Sequence, residues 1–345
     1  MDILTKLFQR LTEYNSISII GMDKNVGKTT TLNFIINKAR GIYTLGLTSI
    51  GRDGEEKDMV TGTKKPRIYV SRNTYIATAK KCIISSDVTK EVIDTTGINT
   101  PIGEIVIIKS LSDGYIELAG PSLNTYMKEI CMKLSSYGCD YVLCDGAVSR
   151  KTFASPVITD ATILCTGASV SNDIRRVACE SLHTITLLSI NKNTDDKLKK
   201  TLKNNERCKV CLVTKDYELR DLNILTSLEA SGDIVNNLDK SIKYIVIRGI
   251  ISDRLILGII GNTELYRDIA IIVEDGTKLF LSKKVYDIFT RSGGTIEGLN
   301  KINVVGVSVN PVSPYGYEFD KGKLESIIKE GTELPVFNVY DAKIS

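Results

Sequence analysis

The chain has 345 residues, of which 42% are apolar, 25% charged and 6% aromatic. At roughly 100–200 residues per domain that length predicts two or three domains, each able to bury a core, and the apolar share excludes a disordered chain. Lys plus Arg number 45 against 41 Asp plus Glu, and the net charge of +4 is too slight to mark a nucleic-acid-binding surface.

Taken in order, Ile3, Leu4, Leu7, Phe8 and Leu11 follow helical spacing, while Asp2, Lys6, Arg10 and Glu13 scattered among them exclude a secretory signal. No later run nears the roughly 18 apolar residues of a membrane span, since Arg248, Asp253 and Arg254 break the most apolar region. The eight cysteines then read as reduced thiols of a cytoplasmic protein. The apolar run Ile17 to Ile20 predicts a strand ending in Gly21. A glycine-containing loop follows, and Thr29 to about Ala39 reads as a helix with Gly41 as its stop. Tyr43 to Ile50 is the next strand, closed by the turn Gly51-Arg52-Asp53-Gly54.

From 61 to 118, short alternating runs such as Arg67 to Val70 and Ile105 to Ile108 are punctuated by Pro66, Pro101, Gly103 and Gly114, which predicts a β-rich insertion. Ser122 is placed to cap a helix reaching about Ser136. Tyr141 to Cys144 is a buried strand ending at Asp145-Gly146, Ala161 to Cys165 is another, and Asn172 to Ser189 reads as a helix. Lys197, Lys199, Lys200 and Lys203, interrupted by Asp195 and Asp196, read as a solvated helix face. Beyond about 240 the alternation restarts with strands at Tyr244 to Ile247, Ala270 to Val273 and Ile302 to Val309. Ser252 and Ser282 stand as helix caps, and no internal repeat is visible. The expected architecture is α/β: a nucleotide-binding domain over 1–240 with a mainly parallel sheet, and a smaller C-terminal α/β domain over 241–345.

The residues richest in chemistry are Gly21-Met22-Asp23-Lys24-Asn25-Val26-Gly27-Lys28-Thr29-Thr30. A loop between strand and helix can grip a triphosphate with amides that face one hollow, helped by the positive end of the helix. Gly27 permits close backbone approach, Lys28 can reach the β- and γ-phosphates, and the Thr29 hydroxyl can coordinate Mg²⁺. The usual first glycine of such a P-loop lies five residues before the second, where this chain has Met22; Gly21 stands one place earlier. Asp145, at a strand end, is a second candidate magnesium ligand, with a plain strand-end turn as the other reading. Asp53 is a third, where turn chemistry serves equally.

Asp94-Thr95-Thr96-Gly97 and Asn191-Lys192-Asn193-Thr194 mimic two GTPase motifs, but Thr194 stands where the guanine-reading carboxylate belongs, which favours ATP over GTP. Cys208 and Cys211 form a lone pair more suited to packed thiols than to zinc. His183 is the single histidine, and its helical setting suits packing rather than catalysis.

The pattern Gly-x-Asp-x-x-Val-Gly-Lys-Thr resembles the loop of dethiobiotin synthetase and its relatives in the MinD-like branch of P-loop NTPases. The run Asp140 to Ala147 resembles that branch's second acidic motif, with Asp145 in place of Glu. A MinD-type signature lysine would stand at Asp23, so that intermolecular mechanism is not implied. Over the full length, further runs resemble the P-loop subunit of the lysine 5,6-aminomutase reactivase. They are Leu47 to Glu55, Thr61 to Ile68, Glu117 to Pro121 and Val309 to Gly316. That resemblance implies a chaperone-like ATPase using ATP and Mg²⁺. It would work with a MutS-like subunit on an adenosylcobalamin-dependent lysine or ornithine aminomutase, letting damaged cobalamin leave. The cobalt-binding pattern Asp-x-His-x-x-Gly is absent, so this chain is not expected to ligate cobalamin. Two other readings stand beside it: an ATP-dependent ligase or kinase for a small acid, and a nucleotide-gated binding module.

Overall fold

The amphipathic start folds as helix α1 (Ile3–Leu11). Helices shorter than ~12–15 residues are marginal in water, so tertiary burial decides this one. Leu7 and Leu11 are buried in the core, each contributing about 1.5–3 kcal/mol. The structure, a computed structural model, describes residues 3–50, 67–146, 154–155, 158–205, 207–224, 226–227 and 230–339.

The chain continues through β1 (Ser16–Gly21), α2 (Lys28–Ala39), β2 (Leu45–Ser49), β3 (Ile68–Val70), β4 (Tyr75–Ala79), α3 (Lys80–Ile84), β5 (Lys90–Thr100), β6 (Gly103–Ser110) and β7 (Gly114–Ile116). Next come α4 (Asn124–Ser136), β8 (Tyr141–Asp145), β9 (Ala161–Gly167) and α5 (Ile174–Leu188). A second set follows: α6 (Asp196–Lys203), β10 (Val210–Thr214), β11 (Leu219–Asp221), α7 (Ser231–Asn237), β12 (Ile242–Ile247), β13 (Ile251–Ser252) and α8 (Asp253–Ile260). It closes with β14 (Ala270–Val273), β15 (Leu279–Phe280), α9 (Lys283–Arg291) and β16 (Thr295–Gly298), before β17 (Val304–Asn310), α10 (Lys321–Glu330) and β18 (Val336–Asn338).

Two compact units result, Met1–Leu182 with Asn303–Ser345, and His183–Ile302. The contiguous division expected near residue 240 is therefore corrected. β17 hydrogen-bonds in parallel to β9, Val307 opposite Leu164, which returns the last segment to the first unit's sheet. Among the described residues that sheet runs β18-β17-β9-β1-β8-β2-β4-β6-β5. It is parallel from β18 to β4 and antiparallel across β4, β6 and β5. Strands β1, β9 and β17 are buried at every position, as expected of parallel strands covered on both faces. The segment read as an insertion instead extends this sheet through β4, β6 and β5, with β3 and β7 pairing separately; the part from 61 to 66 lies outside the described residues. Ser122 is not the cap of α4, which starts from Leu123 with no side-chain cap.

The second unit has its own sheet, β11-β10-β12-β14-β16, with β12, β14 and β16 parallel. It also contains the repeat that the sequence hides. β12–β13–α8 and β14–β15–α9 are successive strand, short strand and helix modules whose short strands pair in parallel. Ser252 and Ser282 cap the two helices alike, accepting from Leu255 N and Val285 N. The common signal is this serine in a strand-to-helix turn; the helices themselves share little sequence. No helix among the described residues is long and apolar enough to cross a membrane.

Asp195, within the predicted basic face, caps α6 by accepting from Lys197 N and Leu198 N. Its other oxygen accepts from Tyr217 Oη at 2.7 Å, Tyr244 Oη at 2.7 Å and Lys243 Nζ at 2.9 Å. Burial disfavours the charged carboxylate, but these donors outweigh burial and hold the carboxyl well below the ordinary range. A depressed folded-state pKa stabilises the protein above the unfolded value of about 4 and loses that contribution as pH falls through the folded value. Asp195→Asn should therefore lower the thermal midpoint at pH 7. It should also flatten the fall of that midpoint below about pH 4, measured by thermal denaturation of the full chain across pH.

Candidate functional site

β1 lies between β8 and β9, with Ile19 opposite Asp145 and Gly21 opposite Cys165. The crossovers diverge at its carboxyl end: α2 leads to β2 beyond β8, while β9 stands on the other flank. Ligands of open α/β sheets bind at such divergences.

The loop from Gly21 to Gly27 is fixed by Val26, which is fully buried, while Asp23, Lys24 and Asn25 are exposed. Asn25 and Gly27 have positive φ, 58° and 87°. Left-handed residues in a turn can aim successive N–H groups into one concavity. Among the described residues, no protein oxygen accepts from the amides of Asn25, Val26, Gly27, Lys28, Thr29 or Thr30. The first bond is Thr31 N to Gly27 O at 2.8 Å. Gly27 caps α2 without a side-chain acceptor, so the unsatisfied donors and positive dipole of the first turn remain open to an anion. The Asp23 carboxylate accepts from the adjacent Lys24 N at 2.6 Å.

Lys28 runs back along the loop to β1. A Cβ on Gly21 would stand 3.0 Å from both Cδ and Nζ of Lys28 and 2.7 Å from Val26 Cγ2. Gly21, one place earlier than the usual first glycine, is thus the position where only a hydrogen fits. The buried Val26 methyl, with Lys28 behind it, occupies the space a side chain there would need.

Asp145 ends β8 level with Ile19 on one side and Ser49 on the other. Lys28 and Asp145 both act on the buried Cys165 thiol. Burial pushes that thiol up to about 11, the bond to Thr31 and the Lys28 charge oppose the rise, and the Asp145 carboxylate adds to it. The register of Asp145 with Ile19 and the contact of Lys28 with Gly21 place Lys28 and Asp145 at the same end of the sheet as Thr29 and Thr30 in the first turn of α2. Asp53 lies outside the described residues; among the described residues, no group of three or more His, Cys, Asp or Glu side chains is arranged to hold a metal.

The GTPase-like runs have partners of their own. Asp94 sits on β5 at the far edge of the sheet and accepts from Lys133 Nζ at 2.8 Å and Tyr137 Oη at 3.1 Å. Asn193 belongs to the second unit and donates to Glu297 at 2.6 Å. His183 donates from Nε2 to the Leu281 carbonyl at 2.8 Å and meets the Tyr286 ring edge-on. Cys208 and Cys211 are buried thiols in mutual contact.

Sequence reasoning missed four residues around the loop: Thr31, Cys165, Ser308 and Asn310. Thr31 Oγ1 donates to Gly27 O at 2.9 Å and lies 2.7 Å from Ser308 Oγ. Cys165 O accepts from Met22 N at 3.0 Å. Asn310 donates from Nδ2 to Asn25 O at 3.0 Å. Its available signal was a polar residue ending the apolar run Val304 to Val309, just before Pro311. Comparison with protein-family models, with curated proteins and with solved structures finds no match.

Proposed function

We propose that this chain is a P-loop NTPase that binds ATP with Mg²⁺ and couples its hydrolysis to the remodelling of a partner. The observation that supports the reading is the β1–α2 loop, whose amides from Asn25 to Thr30 take no acceptor among the described residues, with Lys28 folded against Gly21 and Asp145 on the neighbouring strand end. In this reading the backbone from Asp23 to Thr30 cradles the phosphates, and Lys28 offsets charge at the γ-phosphate. Magnesium accepts one or two protein ligands, completing its shell with phosphate oxygens and water. The Thr29 hydroxyl and the Asp145 carboxylate supply such a set. When bound, Mg²⁺ contributes neutralisation of phosphate charge. ATP is favoured over GTP because Thr194 stands where the carboxylate of a guanine-reading motif belongs, while Asp94 of the switch-like run is paired with Lys133.

The identity of the partner rests on the sequence resemblance. It points to a cytoplasmic reactivating factor subunit for an adenosylcobalamin-dependent lysine or ornithine aminomutase, working with a MutS-like ATPase subunit. Cobalamin is then the cargo of the complex. Such work needs nucleotide states that differ in affinity for the client. The dethiobiotin-like loop favours a second reading, an ATP-dependent ligase or kinase for a small acid. ATP turnover measured alone, with the MutS-like subunit and inactivated mutase, and with a panel of small carboxylic acids separates them. Turnover is expected to rise with the protein partners. A rise with an acid only would indicate the ligase or kinase, binding without turnover a nucleotide-gated module, and no nucleotide binding would overturn all three.

A further inference from the structure

We propose that Asn310 is a positioning residue for the phosphate loop, holding the backbone at Asn25 and Gly27 in its left-handed shape without reading the nucleotide base. The inference rests on the nucleotide-binding reading of that loop and adds a residue far from it in sequence. Asn310 ends β17 and is only 5% exposed. Its Nδ2 donates to Asn25 O at 3.0 Å, and its Oδ1 accepts from Val312 N at 2.9 Å. Nitrogen can only donate here and oxygen only accept, so the two bonds fix which way the carboxamide faces. Its main-chain oxygen accepts from Ala168 N at 2.8 Å, tying the same residue to the end of β9.

The contact reaches both left-handed positions. A Cβ on Gly27 would stand 3.2 Å from Asn310 Cβ, so β17 backs directly onto Gly27. Two residues earlier, Ser308 Oγ meets Thr31 Oγ1, which itself donates to Gly27 O. The carbonyls of Asn25 and Gly27 are thereby both held from behind, leaving the amide side of the loop to the ligand. Asn25 is one of the few residue types with a side chain that visit the left-handed region, and the bond from Asn310 favours that conformation over the alternatives open to it. That tie comes from a residue 285 positions away, after the chain has built the whole second unit.

The test uses the full chain as wild type, Asn310→Ala, Asn25→Gly and the double variant. Calorimetric affinities are measured for ATP, for GTP and for inorganic tripolyphosphate, each with Mg²⁺. Asn310→Ala should weaken all three by the same factor, about five- to tenfold, the scale of one buried hydrogen bond. Hydrogen exchange at the Thr31 amide, which is bonded to Gly27 O, should quicken in the unliganded variant while the thermal midpoint moves little. In the Asn25→Gly background the loss caused by Asn310→Ala should shrink, because glycine tolerates positive φ unaided. Unequal losses for ATP and GTP with tripolyphosphate unchanged would overturn the inference in favour of base reading. Unchanged affinities for all three, or additive losses in the double variant, would also overturn it. Failure of the wild-type protein to bind any of the three would sink the phosphate-loop reading itself.

Discussion

Lys28→Ala should abolish measurable triphosphate binding in a protein that still folds. The ammonium group is the one that the loop folds inward, passing within 3.0 Å of the space above Gly21. Its bonds to phosphate oxygens would be charge-assisted and shielded from water, the stronger class of hydrogen bond. Losing them should weaken ATP and tripolyphosphate alike by at least about 100-fold, or ~2.7 kcal/mol. The side chain is only part-buried, so the thermal midpoint should stay close to wild type. Lys28→Arg should recover little, because the broader guanidinium has no room in the gap that Gly21 leaves. Calorimetry alongside a melting curve checks each point, and an ATP affinity unchanged in Lys28→Ala would remove this lysine from the site.

Asp145→Asn should separate binding from turnover. The carboxamide keeps the shape at the end of β8, where the Asp145 carbonyl accepts from Ile50 N at 3.0 Å, but it surrenders the charge that a hard cation requires. ATP affinity without metal should stay within about threefold of wild type, while Mg²⁺-dependent hydrolysis should fall by about 100-fold or more. A magnesium titration of steady-state ATP turnover reads both effects. Turnover within about twofold of wild type at all Mg²⁺ concentrations would return Asp145 to the role of a strand-end turn.

Both residues were legible because their chemistry is local. A continuous apolar run followed by Gly21 to Thr30 and a helical stretch places Lys28 and Thr29 at a helix start whatever surrounds them. A buried strand ending in Asp145 places that carboxylate at a sheet's carboxyl edge. The glycine displacement was visible in the sequence, but its cause was not, because the cause is the packing of the Val26 and Lys28 side chains back against Gly21. Asn310 could be read as an ordinary polar strand end. Its function depends on β17 lying next to β9, and β9 next to β1, pairings that join residues more than a hundred positions apart.

The α/β class, elements such as β1, α2, β8, β9 and α5, and the loop that could hold phosphate were determined by the sequence itself. Each depends on side-chain periodicity and turn chemistry within a few residues. Only the tertiary structure decided that residues 303–345 rejoin the first unit, that β4, β6 and β5 extend the main sheet, and that β12–β13–α8 recurs as β14–β15–α9. Those outcomes are set by which strand edges meet. Edge pairing is made by backbone hydrogen bonds that every residue but proline can supply, so the side chains alone leave its partners open.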